Sequence, residues 1–164
     1  MKKGFTLIRT IRKNLISVSG FTLIELLVVI SIIGILLALS VFGLQGARQA
    51  SRDAKRKADL ESIRSGLEIF KADCDKYYIG NSLPSPLVGI PSSPYNISSC
   101  LATNTYISNI PVDPISATYS YAYSSDGTTY TLCAYLENPP NPVDTGCVGS
   151  CGAGVTCNYK VTNP

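Results

Sequence analysis

Residues 20–39 read GFTLIELLVVISIIGILLAL, and a single acid, Glu25, interrupts an otherwise apolar stretch. Behind it, residues 26–47 form a run of twenty-two without a charge, dominated by Leu, Ile and Val. As an α-helix rising ~1.5 Å per residue, such a run spans ~33 Å and crosses the hydrocarbon core of a bilayer. It exceeds the apolar core of a secretory signal peptide, and no small-residue cleavage site follows it. Lys2, Lys3, Arg9, Arg12 and Lys13 precede Gly20 with no acid among them. The positive-inside rule therefore places the N-terminus in the cytoplasm and the cysteine-bearing part of the chain, beyond the apolar run, outside.

The pentapeptide GFTLI occurs twice, at residues 4–8 and 20–24, and the copies differ at the next position, Arg9 against Glu25. Only the second copy leads into an uninterrupted apolar run, since Arg12, Lys13 and Asn14 break the first. The first copy thus reads as part of a basic leader over residues 1–20. From Phe21 onward nine basic residues face eleven acidic ones, so the net charge of +3 belongs to the leader. The remainder lacks the basic patch that direct nucleic-acid binding requires.

After the apolar run the composition changes. Residues 48–76 hold fourteen charges and no proline. Leu60, Ile63, Leu67, Phe70, Cys74 and Tyr77 recur at three- and four-residue intervals, one buried stripe of a helix. Ala47, Ala50, Ala54 and Ala58 are expected to carry that stripe back towards the membrane, and Asp53 sits at i, i+4 spacing from Lys57. One helix is predicted over residues 21–77, with residues 21–47 in the membrane or a filament core and 48–78 as an amphipathic continuation. The remaining charges read as a solvated face.

Residues 79–118 hold six of the ten prolines and read as an ordered loop or meander. TYSYAY (118–123) and TTYTLCAYLE (128–137) alternate like strands about a turn at Asp126-Gly127. A third strand over 157–161 completes a small antiparallel sheet on the Leu60–Tyr77 stripe. The fold class is α+β, with residues 79–164 as an extracytoplasmic head. PPNP (139–142) and CVGSCGAG (147–154) read as surface loops held by disulfides.

All six cysteines, Cys74, Cys100, Cys133, Cys147, Cys151 and Cys157, follow the apolar run, which favours disulfides over metal because no CxxC pair exists. Cys74–Cys100 is expected to pin the loop to the helix. Cys133–Cys157 and Cys147–Cys151 are the expected remaining pairs. The chain has no histidine; a Ser-His or Cys-His nucleophile is therefore excluded, and no catalytic constellation, metal ligand set or cofactor motif is evident.

The combination of a basic leader, Gly20, Phe21, Glu25 and a long apolar helix resembles the N-terminal cleavage and methylation signal of type IV pilins and type II secretion pseudopilins. The resemblance implies cleavage between Gly20 and Phe21 by a prepilin peptidase on the cytoplasmic side, then N-methylation of Phe21. Glu25 is then an assembly residue, pairing with the Phe21 amine of its own or a neighbouring subunit. In a low-dielectric helix bundle that attraction offsets the burial of both charges. The implied partners are other pilin subunits and an inner-membrane assembly platform with its ATPase, the chain residing in the membrane before assembly.

Pilins of this family commonly carry a proline near the end of the apolar run. Residues 38–47, ALSVFGLQGA, have Gly43 and Gly46 instead, and glycine weakens a helix by only ~1 kcal/mol relative to alanine. Gly34, Ser31 and Ser40 read equally as close-packing sites or as incidental residues. Asp113 and Asp126 resemble weakly the calcium-binding loop of the major secretion pseudopilin, but a calcium site takes six to eight oxygens and the acidic cluster is missing. Both aspartates are therefore expected to be turn residues, before Pro114 and Gly127.

The expectation that follows is a structural subunit of a pilus-like filament rather than an enzyme. The alternatives are a type II secretion pseudopilin and a membrane-anchored surface binding protein that never polymerises.

Overall fold

A computed structural model describes residues 20–164, Asn96 excepted. The leader and the first GFTLI copy, up to residue 19, lie outside the described residues. One helix, α1, runs Leu23–Cys74, followed by strands β1 (Leu87–Val88), β2 (Thr105–Ile107), β3 (Ala122–Ser125), β4 (Tyr130–Ala134) and β5 (Tyr159–Thr162). The chain divides into two compact units, Met1–Phe42 and Gly43–Pro164.

In the first unit the apolar side chains of α1 are exposed, from Leu23 at 86% to Leu39 at 68%. Among the described residues α1 is the one helix long and apolar enough to cross a membrane. Its two serines are satisfied within the helix: Ser31 Oγ donates to the Val28 carbonyl at 2.7 Å and Ser40 Oγ to that of Leu36 at 2.8 Å. Neither hydroxyl needs a neighbouring helix as a partner.

The second unit packs the later part of α1 against two antiparallel sheets. Leu60, Ile63, Leu67, Phe70, Cys74 and Tyr77 are all buried, as the three–four spacing predicts, and they meet Leu87, Ile107, Tyr123, Tyr130, Leu132 and Val161. Gly66 lies between them, where a Cβ would come within 2.3 Å of the Ile107 side chain. A hydrogen there is what lets β2 approach the helix closely. The helix stops at Cys74, earlier than Tyr77, because Asp75 takes a left-handed conformation (φ 64°) with its N–H on the Lys71 carbonyl.

The three-stranded sheet has order β3-β4-β5. Tyr123 pairs with Leu132 across the hairpin and Leu132 with Val161 on the other side. The first strand starts four residues later than the tyrosine alternation suggests. At Thr118 and Tyr119 the chain is still turning, both N–H groups donating to the Ile115 carbonyl at 2.9 Å. Tyr119 instead stacks on Tyr135 at 4.8 Å. The presumed meander contains β1 and β2, which pair with each other.

Three disulfides join Cys74–Cys100, Cys133–Cys147 and Cys151–Cys157. The expected Cys133–Cys157 and Cys147–Cys151 pairs are corrected. In the sheet register Cys133 faces Lys160, which leaves Cys157 beyond the end of the paired strands. Cys157 instead closes a six-residue separation with Cys151, helped by a turn in which the Cys151 N–H donates to the Val155 carbonyl.

Candidate functional site

Two constellations stand out, one in each unit. At the N-terminal one, Gly20, Phe21 and Thr22 precede the helix, and Phe21 is 84% exposed. Thr22 caps α1. The Glu25 N–H donates to Thr22 Oγ1 at 3.3 Å, while Glu25 Oε2 accepts from the Thr22 N–H at 2.9 Å and from the Thr22 hydroxyl at 2.6 Å. This is a reciprocal capping box, which satisfies donors that the first helical turn leaves free. It explains why the helix begins at Leu23 rather than at Phe21, and it leaves the Gly20–Phe21 peptide bond outside the helix. Thr-x-x-Glu is visible in the sequence, but its apolar surroundings draw attention to the cost of the acid and away from the cap.

The second constellation lies on the head-facing side of α1, where the expected alanine stripe is overturned. Ala47, Ala50, Ala54 and Ala58 are exposed. The three–four spacing runs back from Leu60 through Arg56 and Asp53, both buried, with Arg56 at 0%. The Arg56 guanidinium grips Asp113 with two bonds, Nε to Oδ2 at 2.7 Å and Nη2 to Oδ1 at 3.1 Å. Its Nη1 donates to Asp53 at 2.8 Å and to Glu137 at 3.0 Å. Arg52 Nε donates to Glu137 Oε1 at 2.6 Å, with a second bond from Nη2 to Oε2.

Two guanidinium groups thus face three carboxylates. Backbone donors satisfy much of the excess oxygen. The Glu137 and Asn138 N–H groups bind Asp53 at 3.0 and 2.8 Å, and the Ile115 N–H binds Asp113 at 2.7 Å. Burial alone would discourage a charged Arg56, yet its bonds to Asp113, Glu137 and Asp53 raise its pKa above the ordinary value. The bonds from Arg52 and then Arg56 hold the Glu137 carboxyl down at about 2.

Other charges in the run also serve the head. Glu68 accepts from the Tyr77 and Tyr130 hydroxyls, Asp59 from Tyr121 at 2.7 Å, and Asp73 from Tyr106 at 2.9 Å. The solvated-face reading of the run is therefore corrected for these residues. Asp53 does not pair with Lys57, whose ammonium lies over the Tyr159 ring at 5.5 Å.

Asp126 is the turn residue expected, its Oδ1 accepting from the Thr128 and Thr129 N–H groups at 2.8 Å each, bonds that lower its pKa. Asp113 does cap the turn after it, but it is also the anchor of the Arg56 cluster. Both carboxylate oxygens of Asp113 and Oδ1 of Asp126 are engaged, and among the described residues no group of three or more acidic or thiol side chains is placed to hold a metal ion. Millimolar calcium or EDTA is therefore expected to leave the unfolding midpoint unchanged in differential scanning calorimetry. A rise with calcium would show a donor set that this geometry does not provide.

The Prokaryotic N-terminal methylation motif matches residues 17–41, and Type II secretion system (T2SS), protein G matches residues 44–139. The first match and the fold place the chain in the class of proteins with a pilin-like N-terminus. The second covers more than half of the chain, which belongs to the type II secretion system protein G family.

Curated relatives agree. The type II secretion system core protein G of Dickeya chrysanthemi is 33% identical over 126 residues, 77% of this chain and 80% of the relative. That of Escherichia coli K12 is 31% identical over 113 residues, 69% and 77% of the two chains. The Pseudomonas aeruginosa protein is 33% identical over 106 residues, 63% and 72%. No solved structure matches this chain.

Proposed function

We propose that this protein is a structural subunit of a pilus-like filament, cut between Gly20 and Phe21 by a prepilin peptidase and methylated on the Phe21 amine. The observation that carries the proposal is the exposed apolar helix directly behind a non-helical Gly20–Phe21 bond, within a matched methylation motif. Before assembly the helix anchors the chain in the cytoplasmic membrane with the head outside. On assembly its apolar surface exchanges lipid for neighbouring subunits. The relatives named as type II secretion core protein G favour a pseudopilus over an adhesion, motility or DNA-uptake pilus. No enzymatic activity belongs to this role.

Glu25 is the proposed assembly residue. In the single chain its carboxylate is held by Thr22. In a filament the Phe21 amine of the same or a neighbouring subunit is a stronger, charged donor. Glu25→Ala is expected to abolish filaments while leaving the chain in the membrane, seen by electron microscopy of sheared surface material and by membrane fractionation. Filaments assembled normally by the variant would overturn the proposal and favour a non-polymerising anchored protein. Mass spectrometry of the purified protein is expected to show N-methyl-Phe21 as the first residue.

A further inference from the structure

The six cysteines are bonded as nearest neighbours in sequence, first to second, third to fourth and fifth to sixth. We propose that these bonds are laid down one after another, in the order in which the chain is made, by a thiol-oxidising enzyme and without a disulfide isomerase. This rests on the reading above that the head folds on the far side of the membrane.

Loop closure does not select this pairing. The Cys133–Cys147 and Cys151–Cys157 bonds close separations of 14 and 6 residues. The rival set, Cys133–Cys157 with Cys147–Cys151, exchanges one longer loop for one shorter loop. The closure cost favours the observed set by only about 1.2-fold. The sheet register holds Cys157 away from Cys133, but that register exists only once the sheet has closed. Cys133, Cys151 and Cys157 share one buried cluster, with Cys147 packed against it.

Nor is the pairing open to repair once the head has closed. Cys74, Cys100, Cys133, Cys151 and Cys157 are all buried, and Cys147 is the one partly exposed sulfur site among the six. An isomerase must reach a sulfur to attack it. The partners are therefore fixed before the sheet covers them.

Order of emergence supplies the missing selection. Cys133 leaves the membrane first, and its thiolate attacks the enzyme's disulfide to give a mixed disulfide. Cys147 is the next thiol to arrive and displaces the enzyme, which departs as a dithiol carrying two electrons and two protons. Cys151 then has Cys157 as its only remaining partner. Cys74 and Cys100 are joined by the same two displacements before Cys133 appears.

The test is a disulfide map of the full chain, trapped by alkylation in intact cells and read by non-reducing peptide mass spectrometry. Wild-type protein is expected to keep all three bonds in cells lacking the isomerase and to lose them in cells lacking the oxidase. In Cys147→Ser, Cys133 is expected to take the next thiol, giving Cys133–Cys151 and one alkyl adduct on Cys157. Scrambled bonds in the isomerase-deficient cells would overturn the proposal. So would a Cys151–Cys157 bond with alkylated Cys133 in the variant, because the fold rather than the order would then choose. Six alkylated cysteines in wild-type protein would overturn the location of the head, and the proposal with it.

Discussion

Replacing Arg56 with alanine is expected to destabilise the head by about 3–5 kcal/mol, the range for removing one partner of a buried ion pair. The variant leaves Asp113 without its two charge-assisted bonds and opens a void beside Asp53 and Glu137. Urea unfolding of the full chain in detergent micelles, followed by tyrosine fluorescence, measures the loss.

The pH dependence separates charge from packing. Glu137 has a folded pKa of about 2 against an ordinary 4.5. Its stabilisation is complete above pH 4.5 and is lost as the pH falls towards 2. In Arg56→Ala the Glu137 carboxyl keeps its bonds to Arg52 but loses the one from Arg56. Its pKa then rises part of the way back towards 4.5, and the deficit should shrink between pH 7 and pH 4. A deficit equal at both values would mean that Arg56 acts by filling space. Arg56→Lys keeps the charge but not the two-pronged grip on Asp113, and should recover only part of the loss.

The second large effect belongs to the disulfides. Their loops span separations of 26, 14 and 6 residues. Loop-closure entropy assigns them about 3.5, 3 and 2 kcal/mol respectively at 25 °C. Paired Cys→Ala replacement at Cys74 and Cys100 should therefore lower the urea midpoint most, and replacement at Cys151 and Cys157 least. The ranking is independent of any one absolute value. If the smallest loop proved the most costly to open, the bonds would be acting through native contacts rather than through the unfolded chain.

What the sequence disclosed and what it hid differ by physical cause. The apolar run and the stripe from Leu60 to Tyr77 are legible because each rests on one rule, length in the first case and three–four spacing in the second. The same spacing continues through Arg56 and Asp53, and hydrophobicity is what hid it, since burial there is achieved by ion pairing. Read by position rather than by polarity, 53, 56, 60, 63, 67, 70 and 74 form one uninterrupted series. The partners Asp113 and Glu137 were beyond reach, because they come from loops more than fifty residues away in the chain.

The hairpin was legible as an element, but its register was not. The alternation of Tyr119, Tyr121 and Tyr123 starts inside a turn, and the tyrosine that leads it stacks elsewhere. The short pairing of β1 with β2 has too few residues to show a period. Disulfide pairing among the last four cysteines was hidden because all four converge on one place. Each sequence spacing permits several bonds there.

The Arg56 cluster and the Cys74–Cys100 bond fasten the same stretch of helix to the head at its two ends, about 30 Å apart at ~1.5 Å per residue. A pull along that stretch is therefore taken up as shear across the whole interface between helix and sheets. The head cannot be peeled away one contact at a time from either end. An ionic rivet holds one end and a covalent one the other, so traction on the chain is borne collectively by the packed side chains between them.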